Sequence, residues 1–295
     1  MNVLWIGYGK MGEPMAGRLA AAGHVLEVSD VSPERLAAAR ANGLAIAQDL
    51  PAAAAHADAI VTSLPNDAIA LRMLGENDGV LRHARPGSLL IETSTISASA
   101  SAVIASTAAA RRLGYLRAPI SGSIAAATNG ALTTFVSGPD DVVERATPLV
   151  SAYASTVRVV GDAEQARVMK LAVNLMVTTL VASLCEAYAL CVKGGIAPKT
   201  ALDAITASAI GSPHLRFKAD YLERGDFTPT FTVTQMRKDM QLISQGAREL
   251  NVPVLLGATV EQLMTASEAA GFGDEDYIAC AKVIAGLAGL TVQPG

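Results

Sequence analysis

The run Val3-Leu4-Trp5-Ile6-Gly7-Tyr8-Gly9-Lys10-Met11-Gly12-Glu13-Pro14-Met15-Ala16 decides how the rest of the chain is read. Its first four residues predict a buried strand and residues 11–22 predict a helix, so the GxGxxG falls on the turn between them. In that setting each glycine has its own task. Gly7 makes the tight turn, Gly9 lets a pyrophosphate approach the backbone, and Gly12 lets helix and strand pack closely. The helix start then offers unpaired N–H groups and the positive end of its dipole to an anion. Tyr8, Lys10 and Met11 complete the loop, and Gly7 to Gly12 are the candidate dinucleotide-binding residues. A ligand-free glycine turn is the plainer reading of such a motif; the flanking strand and helix weigh against it.

Working outward, short β-rich runs at 25–28, 59–62 and 88–91 alternate with helical patterns at 33–42, 68–74 and 99–113, the rhythm of a parallel sheet. Runs at 115–116, 132–136 and 157–160 extend the sheet to an expected seven or eight strands. Strand signals stop after Gly161. Residues 164–193 predict one long helix closed by Gly194-Gly195, followed by helical runs at 199–208, 233–250, 252–270 and 277–287. The expected fold is α/β: a doubly wound Rossmann domain over 1–161, then an all-helical substrate and oligomerisation domain over 162–295 that begins with a long interdomain helix. A cleft between the two is expected.

Asp30 ends the second strand, near the offset of about twenty residues at which a carboxylate accepts hydrogen bonds from the adenine-side ribose. That carboxylate repels a 2′-phosphate, and no arginine stands in Asp30-Val31-Ser32, so NAD is expected over NADP. Arg35 lies close enough to moderate the preference. A capping role for Asp30 at Pro33-Glu34 is compatible with ribose binding.

Bulk properties exclude several classes. With 295 residues, 51% of them apolar, the chain can bury a substantial core. A net charge of −4 argues against a sequence-independent nucleic-acid binder, which needs a basic face. Cys185, Cys191 and Cys280 are too few and scattered to staple such a fold, so they are expected reduced and the compartment cytoplasmic. No export signal is read at the N-terminus. Residues 171–192 have the length of a membrane span but contain Asn174 and Glu186, so a buried helix is expected and no membrane partner. His24, His56, His83 and His214 are isolated, and no Cys/His spacing fits a metal site. Neither GxSxG nor a partnered histidine supports a serine hydrolase.

Lysine chemistry is left. Lys170 and Asn174 stand four apart and share a helix face. By position alone, Lys170 is equally well a snorkelling surface lysine or a half-buried functional one. Partial burial would draw its pKa toward the working pH, which suits proton exchange with an alcohol oxygen.

The glycine loop with Ala22-Gly23-His24, the segment Ala118-Pro119-Ile120-Ser121-Gly122, Lys170 with Asn174, and Lys238-Asp239 together resemble the 3-hydroxyisobutyrate dehydrogenase (β-hydroxyacid dehydrogenase) family, in order and spacing over nearly the whole chain. The resemblance implies hydride transfer between NAD and a small 3-hydroxy acid or its semialdehyde, with Lys170 as acid/base residue and Asn174 beside it. It implies that Ser121 and the Gly122 backbone, with Ser123 next to them, hold the substrate carboxylate, and that Lys238 reaches the cleft toward substrate and cofactor. Leu64, Pro65 and Thr95 match its cofactor-contacting loops. Three positions depart from the family pattern: Ser123 replaces a second glycine, Val173 the first of two asparagines, and Glu92 an aspartate. The family's NADP-using reductases carry Asn-Arg-Thr where this chain has Asp30-Val31-Ser32.

The alternatives are an imine reductase, a semialdehyde or glyoxylate reductase, or a non-catalytic dinucleotide-binding module, which has no use for Lys170, Asn174 and Ser121 together. The apolar surface of the helical part also predicts self-association to a homodimer or homotetramer.

Overall fold

The continuous apolar runs form strands covered on both faces. The computed structural model describes residues 1–76 and 78–292; positions 293–295, the end of the expected helical domain, lie outside the described residues. In chain order the first elements are β1 (Asn2–Ile6), α1 (Gly12–Ala21), β2 (Val25–Ser29), α2 (Pro33–Ala41), β3 (Ala45–Ile46), α3 (Leu50–His56), β4 (Ala59–Thr62) and α4 (Asp67–Ala70). Then come β5 (Leu89–Glu92), α5 (Ala98–Ala110), β6 (Gly114–Arg117), β7 (Ile120–Ser121), α6 (Ile124–Thr128), β8 (Leu132–Ser137), α7 (Asp140–Val150) and β9 (Ala154–Gly161).

The strand order is β3-β2-β1-β4-β5-β6-β8-β7, with β9 pairing β8. From β3 to β6 every pairing is parallel, whereas β8 runs antiparallel to β6 and β7. Side chains alternate across the sheet with the strand's period of two. Val3 and Trp5 enter one core with Val61 and Ile91; Leu4 and Ile6 enter the other with Ile60 and Leu90. Burial on both faces is why these strands read as unbroken apolar runs. Chain order reverses at β1, which has β2 on one side and β4 on the other. A reversal of this kind opens a crevice at the carboxyl ends of the strands, where open α/β sheets bind ligands.

The remaining elements are all helical: α8 (Gln165–Lys193), α9 (Pro198–Ala207), α10 (Pro213–Arg224), α11 (Val233–Glu249), α12 (Leu255–Ser267) and α13 (Cys280–Leu287). The chain divides into two compact units, Met1–Lys170 and Leu171–Gly295, so the division falls inside α8. Among the described residues α8 is the one helix long and apolar enough to cross a membrane by length and composition. Its Leu171, Val181, Leu184, Cys185 and Tyr188 instead pack into the core of the helical unit, against Met236 and Met240 of α11 and Met264 of α12. The three thiols are free, with the Cys185 and Cys280 sulfurs 3.7 Å apart in that core.

Candidate active site

Gly7 directly follows β1 with φ +96°, and a Cβ there would lie 2.2 Å from the Ser63 carbonyl oxygen at the end of β4. A Cβ on Gly12 would lie 2.0 Å from the Gly7 carbonyl. Both positions therefore admit glycine alone, for the turn and the close approach read from the sequence. The Trp5 indole N–H donates to the same Gly7 carbonyl at 2.9 Å and locks the turn onto β1. Gly9 differs: its nearest outside neighbour is the flexible Arg35 guanidinium, 3.0 Å from a would-be Cβ. The N-caps of α2 to α6, Ser32, Asp49, Asn66, Ser97 and Ser123, all satisfy a backbone amide with their side chains. At α1 the N-cap is Met11, with no side-chain cap. The Glu13 amide already donates to the Gly9 carbonyl at 2.9 Å and Pro14 has no N–H, so the amides that can meet an anion are those of the glycine loop up to Gly12, and this loop fits a dinucleotide pyrophosphate. The Tyr8 ring is buried and its hydroxyl accepts from Asn42 at 3.1 Å, so its side chain anchors the loop. Lys10 is exposed and Met11 half-buried.

Asp30 is joined to this loop. Its carboxylate accepts from the Tyr8 amide at 2.7 Å and the Ser32 amide at 2.8 Å, so it braces the glycine turn while Ser32 caps α2. Arg35 lies beside it, Nη1 to Oδ2 3.7 Å, with the arginine half exposed and the aspartate buried. Sequence reading placed Arg35 near this corner; the structure puts it against both Asp30 and Gly9.

At the next strand ends, the Leu64 amide donates to Ser94 Oγ at 2.7 Å, and the Ser94 amide donates to Glu92 Oε1 at 2.9 Å. Leu64 and Thr95 are half-buried and Pro65 exposed along these loops. Glu92 is fully buried and pairs with Arg167 at 2.5 Å. Neither residue was assigned a role from sequence, and the departure at Glu92 was the only signal.

Ser121 ends β7, in register with Thr133 of β8. Gly122 follows at φ +141°, where a Cβ would meet Leu132 Cδ2 at 2.7 Å. Ser123 is the N-cap of α6, its hydroxyl accepting from the Ala126 amide at 3.2 Å, so the departure from glycine serves the local helix.

Lys170 is half-buried on the second turn of α8, and Asn174 follows one turn later. Asn174, 7% exposed, donates to Asp239 Oδ2 at 2.7 Å. Lys238 Nζ lies 2.8 Å from Asp239 Oδ1, so one buried carboxylate on α11 holds the Asn174 amide by a hydrogen bond and faces the Lys238 ammonium as a counter-charge. Asp239 is the member that sequence reading quoted without a role. Among the described residues no group of three or more His, Cys, Asp or Glu could hold a metal ion.

Residues 2–161 match the profile of the NAD binding domain of 6-phosphogluconate dehydrogenase, and residues 165–284 match the profile described as NAD-binding of NADP-dependent 3-hydroxyisobutyrate dehydrogenase. The chain is 32% identical over 296 residues to 2-(hydroxymethyl)glutarate dehydrogenase of Eubacterium barkeri, covering 100% of this chain and 98% of that protein. It is 30% identical over 292 residues to 3-sulfolactaldehyde reductase of Escherichia coli (strain K12), covering 99% and 98%. A crystal structure of 3-hydroxyisobutyrate dehydrogenase from Salmonella typhimurium superposes with TM-score 0.87 at 30% identity, covering 96% of this chain and 99% of that one.

Proposed function

Because the chain belongs to the 3-hydroxyisobutyrate dehydrogenase family, it is a dinucleotide-dependent oxidoreductase of small hydroxy acids, and we propose that it interconverts a 3-hydroxy acid and its semialdehyde with NAD, using Lys170 as general acid/base. The place of Lys170 carries this reading: it is half-buried, one turn from an oriented Asn174 on the same helix. The bound dinucleotide supplies the hydride acceptor. Lys170 exchanges the proton of the substrate hydroxyl, and Asn174 and Lys238, steered by Asp239, bind and orient the substrate. Ser121 and the Gly122 amide hold the carboxylate, with Ser123 shaping their loop. The experiment is turnover of a panel containing 3-hydroxyisobutyrate, L-threonate and 2-(hydroxymethyl)glutarate. A protein that binds NADH but turns over none of these or their aldehyde or ketone oxidation products would be a binding module instead.

The preference for NAD rests on Asp30, whose negative charge disfavours a 2′-phosphate. Arg35 opposes it from 3.7 Å. The expected kcat/KM ratio of NAD to NADP is about tenfold, equivalent to about 1.4 kcal/mol. Asp30→Ala should narrow this ratio and Arg35→Ala widen it; equal use of both cofactors by the native protein would show that Arg35 prevails.

We further propose a cytoplasmic homodimer or homotetramer, assembled through the helical unit. Its Met176, Leu190, Leu255, Leu256 and Leu287 are all more than two-thirds exposed, Leu287 at 86%, and apolar side chains in such number favour a partner surface. Light scattering after size exclusion should give a mass of at least two chains at micromolar concentration; a single-chain mass would refute this.

A further inference from the structure

Arg167 lies on the first turn of α8, three residues before Lys170, and is buried with every side of its guanidinium engaged. Nη2 donates to Glu92 Oε2 at 2.5 Å and to the Tyr115 hydroxyl at 3.0 Å. Nη1 donates to the Ser94 carbonyl at 2.8 Å, and Nε to Ser101 Oγ at 3.2 Å. Burial opposes this charge, but Glu92 and Tyr115 outweigh it and hold the guanidinium above its ordinary pKa, so Arg167 stays a cation. Glu92 uses its other oxygen to accept from the Ser94 amide, while Ser94 Oγ accepts from the Leu64 amide. The pair thus ties three segments together: the loop after β4, the loop after β5, and the turn of α8 that leads into Lys170.

We propose that Glu92 and Arg167 are positioning residues, which set the two strand-end loops toward the dinucleotide and fix the start of the lysine-bearing helix relative to them. One carboxylate spans both partners, Oε1 on the Ser94 amide and Oε2 on the arginine. Both side chains are buried, Glu92 at 0% and Arg167 at 1% exposed, so they act through the loops they hold. A planar fork satisfies four acceptors at once, which an ammonium cannot do. The proposal rests on the dehydrogenase reading for its kinetic consequence, but its binding consequence stands apart from turnover.

A single substitution strands a buried charge and could unfold the protein. The test therefore uses the neutral double variant Glu92→Gln/Arg167→Met beside Arg167→Lys. The readouts are the melting temperature, NADH affinity by energy transfer from Trp5, the only tryptophan in the chain, and kcat and KM on whichever panel substrate is turned over. Expected for the folded double variant are a roughly tenfold weaker NADH affinity and a roughly tenfold lower kcat, with KM for the hydroxy acid within a few fold. Arg167→Lys should recover melting temperature better than it recovers NADH affinity. A double variant that is folded, or shifted only in melting temperature, and binds NADH like the parent overturns the proposal. If no substrate on the panel is turned over, the dehydrogenase reading fails while the NADH arm still decides this one.

Discussion

Replacing Lys170 with alanine is expected to lower kcat by roughly a hundredfold or more, the usual range for a positioned general acid or base, while the NAD dissociation constant moves by no more than a few fold. The separation follows from where the two functions are built. In the proposed reading cofactor affinity draws on the glycine loop, the start of α1 and Asp30. Lys170 stands on α8, so its loss should remove the proposed proton carrier and leave that cradle intact. Lys170→Arg should fail almost as badly: a guanidinium keeps its proton at any workable pH, and its planar fork does not occupy the place of an ammonium. Stopped-flow measurement of hydride transfer alongside NAD binding separates the two quantities. A folded Lys170→Ala protein that turns over near the native rate would remove Lys170 from the mechanism.

The centre of the sheet was legible because parallel strands buried on both faces are nearly continuous apolar runs, as in β1, β4 and β5, whereas β2, β8 and β9 mix polar with β-branched or aromatic residues and were read from the latter. The two strands missed, Ala45–Ile46 and Ile120–Ser121, are two residues each, too short to carry a period. Among helices, Leu50–His56, Ile124–Thr128, Asp140–Val150 and Pro213–Arg224 went unread, the last although Ser212 caps it, Pro213 opens it and Gly225 closes it in the left-handed conformation. Its polar face hid an apolar stripe of Leu215, Ala219 and Leu222. Cap signals were present there, and reading by apolar runs passed over them.

For the site, local motifs were legible and long-range pairs were not. The glycine loop, Asp30 and the Lys170/Asn174 spacing are short-range patterns whose geometry a helix or strand end dictates. Glu92 and Arg167 lie 75 residues apart, and an arginine early in a helix reads as solvent-facing until the fold buries it. Asp239 had a sequence signal in its lysine neighbour, but its function is to receive Asn174 from another helix, 65 residues away in sequence. Ser123 carries a local signal as well: its hydroxyl accepts from the Ala126 amide three residues on, the pattern of a helix N-cap.

The largest stability effect is expected at a second buried pair, in the helical unit. Lys218 donates to Asp276 at 2.6 Å, and both are essentially inaccessible. Burial lowers the lysine's pKa although Asp276 pulls it upward, so the ammonium depends on its counter-charge. Asp276→Asn keeps the shape and removes that charge, and should cost about 3–5 kcal/mol at pH 7, the range for breaking a buried pair from one side. Lys218→Met should cost less, because Asp276 still accepts from the Thr230 amide and hydroxyl and from the Ile278 amide. The pH dependence has a fixed sign. With Asp276 neutral, the folded-state pKa of Lys218 falls further below its unfolded value, so the unfolded chain binds more protons and stability rises with pH. The deficit of Asp276→Asn relative to the parent should therefore shrink between pH 7 and pH 9, whereas that of Lys218→Met should not. Urea unfolding of the full chain at both pH values measures this. Equal, pH-independent losses in the two variants would mean that Lys218 is not held as a buried cation by Asp276.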